Sequence, residues 1–267
     1  MVGISLRKSN FDCLSSALAL LYFAVFISFA NASTQPKKAD VPMTDNKDCV
    51  VLLHGLGRSA RAMNRLKKAL SADYSVINVD YPSRKLAIEQ LAKIIISEAL
   101  EQCQKDARVH FVTHSLGGIL VRQYLQNHKI ENLGRTIMLG PPNKGSELAD
   151  FLANNILFEF YNGPAGQQLG TGKDSVPLGL GQVGFELGVI AGNRSFNPVL
   201  TKLSSGEHDG IVSVDSSKVE GMTDHIVMPV THTFMMMDSS VIQQVQHFLS
   251  HGKFDHQANA RKTLDDE

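Results

Sequence analysis

No excess of charge of either sign marks this sequence: Lys and Arg total 26, and Asp and Glu total 26, over 267 residues. A balanced chain has no electrostatic case for gripping nucleic acid or an anionic membrane surface. Neither is expected as a partner, and membrane contact is expected only through a substrate. Cysteine is scarce, at three residues. No metal is expected either, because the His and Asp residues between 208 and 232 have spacings that match no zinc pattern. What the sequence has in quantity is apolar side chains, 43% of the total. That is enough for a sizeable core in one large domain or two small ones.

The first thirty residues differ from the rest. Arg7 and Lys8 precede an apolar run over residues 14–30, and Asp12 is the one acid before it ends. The run closes on Ala30-Asn31-Ala32, the small-x-small pattern cut on export. Residues 1–32 are therefore read as a signal peptide, with Ser33 the first residue of a periplasmic or secreted protein. The alternative is an uncleaved N-terminal membrane anchor, since the run approaches the length of a span. No cysteine for lipid attachment sits at the cut. Cys13 leaves with the signal, and Cys49 and Cys103 remain, in a compartment that permits disulfides. Residues 33–48 are mostly polar, carry two prolines, and read as a flexible lead-in.

From Cys49 the chain alternates strand and helix patterns. The apolar run 49–53 predicts a strand covered on both faces. Residues 59–72 predict a helix with Ser59 as its cap. Strands follow at 75–79, 109–113 and 135–139, with helices at 86–104 and 116–128. In the helix at 86–104, Ile88, Leu91, Ile95, Ala99 and Cys103 form one stripe. Later strands are expected at 185–191 and 225–230, and a closing helix at 238–250 with Gly252 as its stop. Alternation with short links predicts a mostly parallel sheet with helices on both faces, spanning residues 49–254 and followed by a polar tail over 255–267.

Chemistry concentrates where the strand at 109–113 ends. Val112-Thr113-His114-Ser115-Leu116-Gly117-Gly118 runs from strand through a serine and two glycines into a helix. That is the context of a nucleophile elbow, a sharp turn that lifts the serine hydroxyl above the sheet. Small residues two before and two after the serine keep the turn free of clashes. Gly117 fits; Thr113 departs from the usual glycine. A serine nucleophile needs a base, an acid to orient the base, and donors for the oxyanion. Asp209, on the loop after the strand at 185–191, and His232, after the last strand, stand in the order this fold uses. Asp215 and Asp224 are alternatives to Asp209. The Asp209-Gly210 turn and the Ile211-Val212 pair behind it favour Asp209. His54 is expected to shape the loop beside Gly55, His114 to pack or hydrogen-bond at the elbow, and His208 to be solvated. His225 lies too early in the last strand to reach Ser115.

The stretches HGLG (54–57), THSLGG (113–118), GPPNKGSELADFL (140–152), HDGIVSVDSS (208–217) and THTFM (231–235) occur in this order across nearly the whole chain after residue 49. Together they resemble the α/β-hydrolase superfamily, within it the bacterial triacylglycerol-lipase-like and esterase branch. The resemblance implies Ser115 as nucleophile, Asp209 as acid and His232 as base. It also implies an oxyanion hole from the backbone amides of Leu56 and Leu116. No calcium-site pattern is recognised, and no cofactor is needed. The implied activity is hydrolysis of small-molecule or lipid carboxylic esters through an acyl-enzyme. An acyltransferase, or a non-catalytic binding protein on the same fold, is the alternative.

Two further expectations depend on that topology. The long segment after the fourth recognised strand, residues 146–184, is expected to form a cap or lid whose apolar face lines an acyl pocket. Cys49 starts the first strand, and Cys103 ends the helix returning to the neighbouring one. Both lie at the edge of the sheet away from Ser115, and a disulfide between them is expected.

Overall fold

The computed structural model describes residues 47–153, 156–196 and 206–259. The expected signal peptide and most of the lead-in lie outside the described residues. Six strands form one sheet: β1 Cys49–Leu53, β2 Ser75–Val79, β3 Val109–His114, β4 Leu133–Leu139, β5 Leu187–Gly192 and β6 Asp224–Met228. Their order is β2-β1-β3-β4-β5-β6, and every neighbouring pair is parallel.

The strand period of two divides the core between the faces. Val51, Leu53 and Phe111 join the apolar stripes of α2 (Ile88–Glu101) and α3 (Leu116–Asn127). Val50, Leu52 and Val112 join α1 (Asn64–Leu70) and the closing helix α6 (Ser239–His251) on the opposite face. From β1 the chain steps outward to β2, then crosses back to lay β3 on the other side of β1. Where the strand order reverses, the carboxyl ends of β1 and β3 diverge and leave a crevice. The segment between β4 and β5 carries α4 (Glu147–Ala153), α5 (Ile156–Gln167) and a turn of helix at Val176–Gly179.

Element ends differ from the sequence reading where distant groups decide them. Ser59 makes no capping hydrogen bond; the Ala60 amide instead donates to Asp80 Oδ1 at 2.8 Å, and a 3-10 turn at Ala60–Met63 precedes α1. The first turn of α2 is capped by Gln168 Oε1, which accepts from the Ile88 amide at 2.7 Å. The closing helix is capped locally: Asp238 Oδ1 accepts from the Ser240 and Val241 amides, and Gly252 ends the helix at φ 73.

Cys49 and Cys103 form a disulfide with Cα atoms 5.7 Å apart. It lies at the amino edge of the sheet, where the Cys49 amide donates to Arg108 O at 2.8 Å and Cys49 pairs with Val109. Beyond the closing helix, Phe254 is buried, Gln244 exchanges two hydrogen bonds with the Asp255 backbone, and Asn259 donates to Val227 O. The described part of the polar C-terminal stretch thus folds back onto β6.

Candidate active site

The site begins with a backbone constraint. Ser115, between β3 and α3, has φ 53 and ψ −120, the one positive φ of a non-glycine among the described residues. Such a conformation costs on the order of 1–3 kcal/mol and persists only where its surroundings over-determine it. Here the Ser115 amide donates to Leu139 O at 2.9 Å and its carbonyl accepts from Gly118 N at 3.0 Å. A Cβ at Gly117 would lie 2.7 Å from Leu53 O and 3.1 Å from His54 O, so no larger residue fits there. Thr113 is accommodated by the second glycine. A Cβ on Gly118 would stand 3.3 Å from Thr113 Oγ1 and 3.0 Å from Met138 Sδ, and its absence leaves that space to the threonine.

The loops after β5 and β6 bring in the other two groups. His232 Nδ1 donates to Asp209 Oδ2 at 2.7 Å, and both side chains are buried. Asp209 Oδ1 accepts from the amides of Ile211 (2.9 Å) and Val212 (2.8 Å), while the Asp209 carbonyl accepts from His232 N at 2.9 Å. The Asp-Gly turn and the following Ile-Val pair therefore fix the carboxylate. Gly140, at the end of β4, leaves the space they need: at φ 54, a Cβ there would lie 3.0 Å from both Asp209 Oδ2 and His232 Nδ1. In the sequence Gly140 stood only as the first residue of the stretch at 140–152, with no role attached to it.

The competing residues fall elsewhere. Asp215 is exposed and paired with Lys144 at 2.9 Å; that hydrogen bond, with the lysine's charge, lowers its pKa. Asp224 accepts from the Phe254 amide and from His256. His225 sits against Ser217 Oγ at 3.1 Å, and burial pushes its pKa down to about 4. His208 departs from expectation. It is buried and bridges Ser213, because the bonds Asp209 N to Val212 O and Val214 N to Glu207 O fold its loop tightly.

Two other histidines brace the site. His54 Nδ1 donates to Gly55 O at 2.8 Å, its Nε2 accepts from the Tyr81 amide at 3.3 Å, and its ring stacks on Tyr81 with centroids 4.0 Å apart. The Tyr81 hydroxyl donates to the His54 carbonyl. Burial lowers the His54 pKa, in keeping with a neutral ring that shapes the loop. Tyr81, the other half of this arrangement, was not legible in the sequence. His114 Nε2 donates to the His232 carbonyl at 3.0 Å, and burial holds its pKa well below the ordinary value. A turn closed by Arg58 N to Gly55 O (3.2 Å), with Gly57 at φ 67 bound to Ser83 Oγ, sets the direction of Leu56. The Leu56 and Leu116 amides have no acceptor among the described residues.

Ser115 and His232 line one cavity of about 210 Å³ above the crevice. Leu148 and Leu169 reach it from the segment between β4 and β5, Ile211 and Val212 from the Asp209 loop. A more open groove of about 580 Å³ lies near Leu133 and the end of α3; none of Ser115, Asp209 and His232 lines it.

Comparison with known proteins agrees with this architecture. Residues 50–202 match the model of the alpha/beta hydrolase family. No curated protein matches the chain in sequence. Among solved structures, the mature lipase BlEst2 of Bacillus licheniformis is similar at 21% identity and TM-score 0.62, covering 78% of this chain and 92% of that one. The phospholipase PlaB of Legionella pneumophila is similar at 17% identity and TM-score 0.61, over 75% of this chain and 57% of that one. A metagenomic carboxyl esterase, MGS0156, is similar at 17% identity and TM-score 0.59, over 70% and 65%. With more than half of its length matched by the family model, and with the sheet order and strand-to-helix serine turn described above, this chain belongs to the alpha/beta hydrolase family.

Proposed function

We propose that this protein hydrolyses carboxylic esters, with Ser115 as nucleophile, His232 as general base and Asp209 as the acid that orients it. The observation that carries the reading is the buried 2.7 Å bond from His232 Nδ1 to Asp209 Oδ2, beside a cavity that Ser115 enters from a positive-φ turn. With Nδ1 held by the carboxylate, Nε2 is the nitrogen left to take the serine proton. The hydroxyl attacks the ester carbonyl, and the oxyanion is received by the Leu56 and Leu116 amides, which have no other acceptor among the described residues. His232 then protonates the leaving alcohol, and water releases the acid by the reverse sequence. Names of the similar structures (a lipase, a phospholipase, a carboxyl esterase) support an ester as substrate.

Residues 146–184 act in this reading as a cap, since Leu148 and Leu169 supply apolar wall to the cavity where an acyl chain would lie. The protein works outside the cytoplasm, a reading supported by the disulfide and the export pattern of residues 1–32. Among the described residues no helix is long and apolar enough to cross a membrane.

The test is p-nitrophenyl butyrate hydrolysis and labelling with a fluorophosphonate probe. Ser115→Ala is expected to abolish both, with a rate loss on the order of 10⁴-fold or more. Near-normal turnover by that variant would end the nucleophile assignment.

A further inference from the structure

Among the described residues that line the cavity above Ser115, Arg58 carries a permanent charge, and no Asp or Glu offsets it. Arg58 is half-buried on the loop after β1, two residues beyond Leu56, and its side chain has no hydrogen bond or ion pair among the described residues. Asp80, a carboxylate near this loop, accepts from the Ala60 amide through Oδ1 and stands 3.8 Å from His54 Nε2. Arg58's charge reaches into the site: burial holds down the His114 pKa, and the guanidinium adds to that effect.

Apolar side chains line the cavity on both sides of Ser115, with Leu56 beside Arg58 on the loop after β1. Ile211 and Val212 come from the loop after β5, whereas Arg58 follows β1. In strand order Ser115, at the end of β3, stands between them. An ester bound at Ser115 thus shares this cavity with Arg58, which follows Leu56 in the loop after β1. A partly desolvated guanidinium without an anion favours a ligand that brings one, and its planar fork matches carboxylate and phosphate oxygens.

We propose that Arg58, lining the cavity between the oxyanion loop and Ser115 and unpaired by any carboxylate of the described residues, selects esters that carry a carboxylate or phosphate. This rests on the ester-hydrolase reading above. The bond formed and broken is the same acyl–oxygen bond; Arg58 binds the anionic substituent and takes no part in proton transfer.

The experiment compares esters with the anion on either side of the acyl–oxygen bond: the butanoates of 4-hydroxybenzoate, 4-hydroxyphenyl phosphate and the neutral 4-hydroxybenzamide, and the 4-nitrophenyl monoesters of glutarate and of its neutral monoamide. The wild-type protein is expected to favour at least one anionic ester. Arg58→Gln is expected to lower the anionic-to-neutral ratio of kcat/KM by about 10-fold or more, mostly through KM, and Arg58→Lys by less. The anionic ester whose ratio falls furthest names the group recognised. A ratio within twofold of wild type in Arg58→Gln overturns the proposal. Should that variant fail to fold, ionic strength serves instead. Added salt is expected to lower wild-type kcat/KM on the anionic esters and not on the neutral ones, and equal responses overturn the proposal. Failure of the parent reading looks different: Ser115→Ala would then hydrolyse the esters, whatever their charge.

Discussion

Ser115 is held by neighbours that are small for a reason, and Gly140 is the one with the sharpest consequence. Its α-carbon faces the bond between His232 and Asp209, at a φ of 54 that disfavours any side chain. Gly140→Ala is expected to destabilise the fold by about 1 kcal/mol or more through that φ alone. Displacing the imidazole by a few tenths of an ångström is expected to lower kcat on p-nitrophenyl butyrate by about 10-fold or more with KM little changed. Steady-state kinetics alongside a melting curve separates the two; a kcat equal to wild type in folded protein contradicts the placement. His232→Ala is expected to match Ser115→Ala in activity, whereas His225→Ala, whose ring meets Ser217, is expected to keep turnover near wild type. Ser115, Asp209 and His232, the proposed triad, could be picked out in the sequence because elbow, Asp-Gly turn and chain order are local patterns. Tyr81, Gly140 and the burial of His208 were not, since each depends on a loop from a distant part of the chain.

At the level of elements, the disulfide joins the start of β1 to the end of α2 across 54 residues of chain. Closing a loop of that size stabilises by about 2–4 kcal/mol, chiefly by restricting the unfolded state. Replacing both cysteines by serine is expected to lower the unfolding free energy by that amount. Activity at 25 °C is expected to stay near wild type, because the bridge is at the edge of the sheet away from Ser115. Chemical denaturation with and without reductant measures it, and identical midpoints refute it. Strands and helices were readable from their periods, and β1 matched residue for residue, because a wholly apolar run has one place in a doubly covered sheet. Ends were less readable. The helix after Ser59 starts late because Asp80, twenty residues on, captures the Ala60 amide, and α2 starts at a residue capped from eighty residues away.

For the whole molecule, acidity sets a further expectation. Burial depresses the folded-state pKa of His225 to about 4, and those of His54 and His114 also lie below the ordinary 6.5. Between the folded and unfolded values the unfolded chain binds more protons, so stability falls as pH drops from about 6.5 toward 4. Denaturation midpoints at pH 7 and pH 5 are expected to differ in that direction, and His225→Asn is expected to reduce the difference; a midpoint that rises at pH 5 runs against the burial of these rings. Export gives a second expectation at this scale. Mass spectrometry of the protein from its native host is expected to find Ser33 at the amino terminus, and an intact Met1 or Val2 supports the anchored alternative.

The cap of α2 has a consequence for motion. Gln168 joins the segment between β4 and β5 to the first turn of α2 twice over, through the Ile88 amide and through the Glu89 carboxylate. Any outward swing that carries Gln168 away strips that turn of its acceptor. Deuterium uptake at the Ile88 amide therefore becomes a clock for the opening of a segment eighty residues further along. A slow-exchanging Ile88 in the free protein, quickening in Gln168→Ala, means that this segment stays latched to the helix between one breathing event and the next.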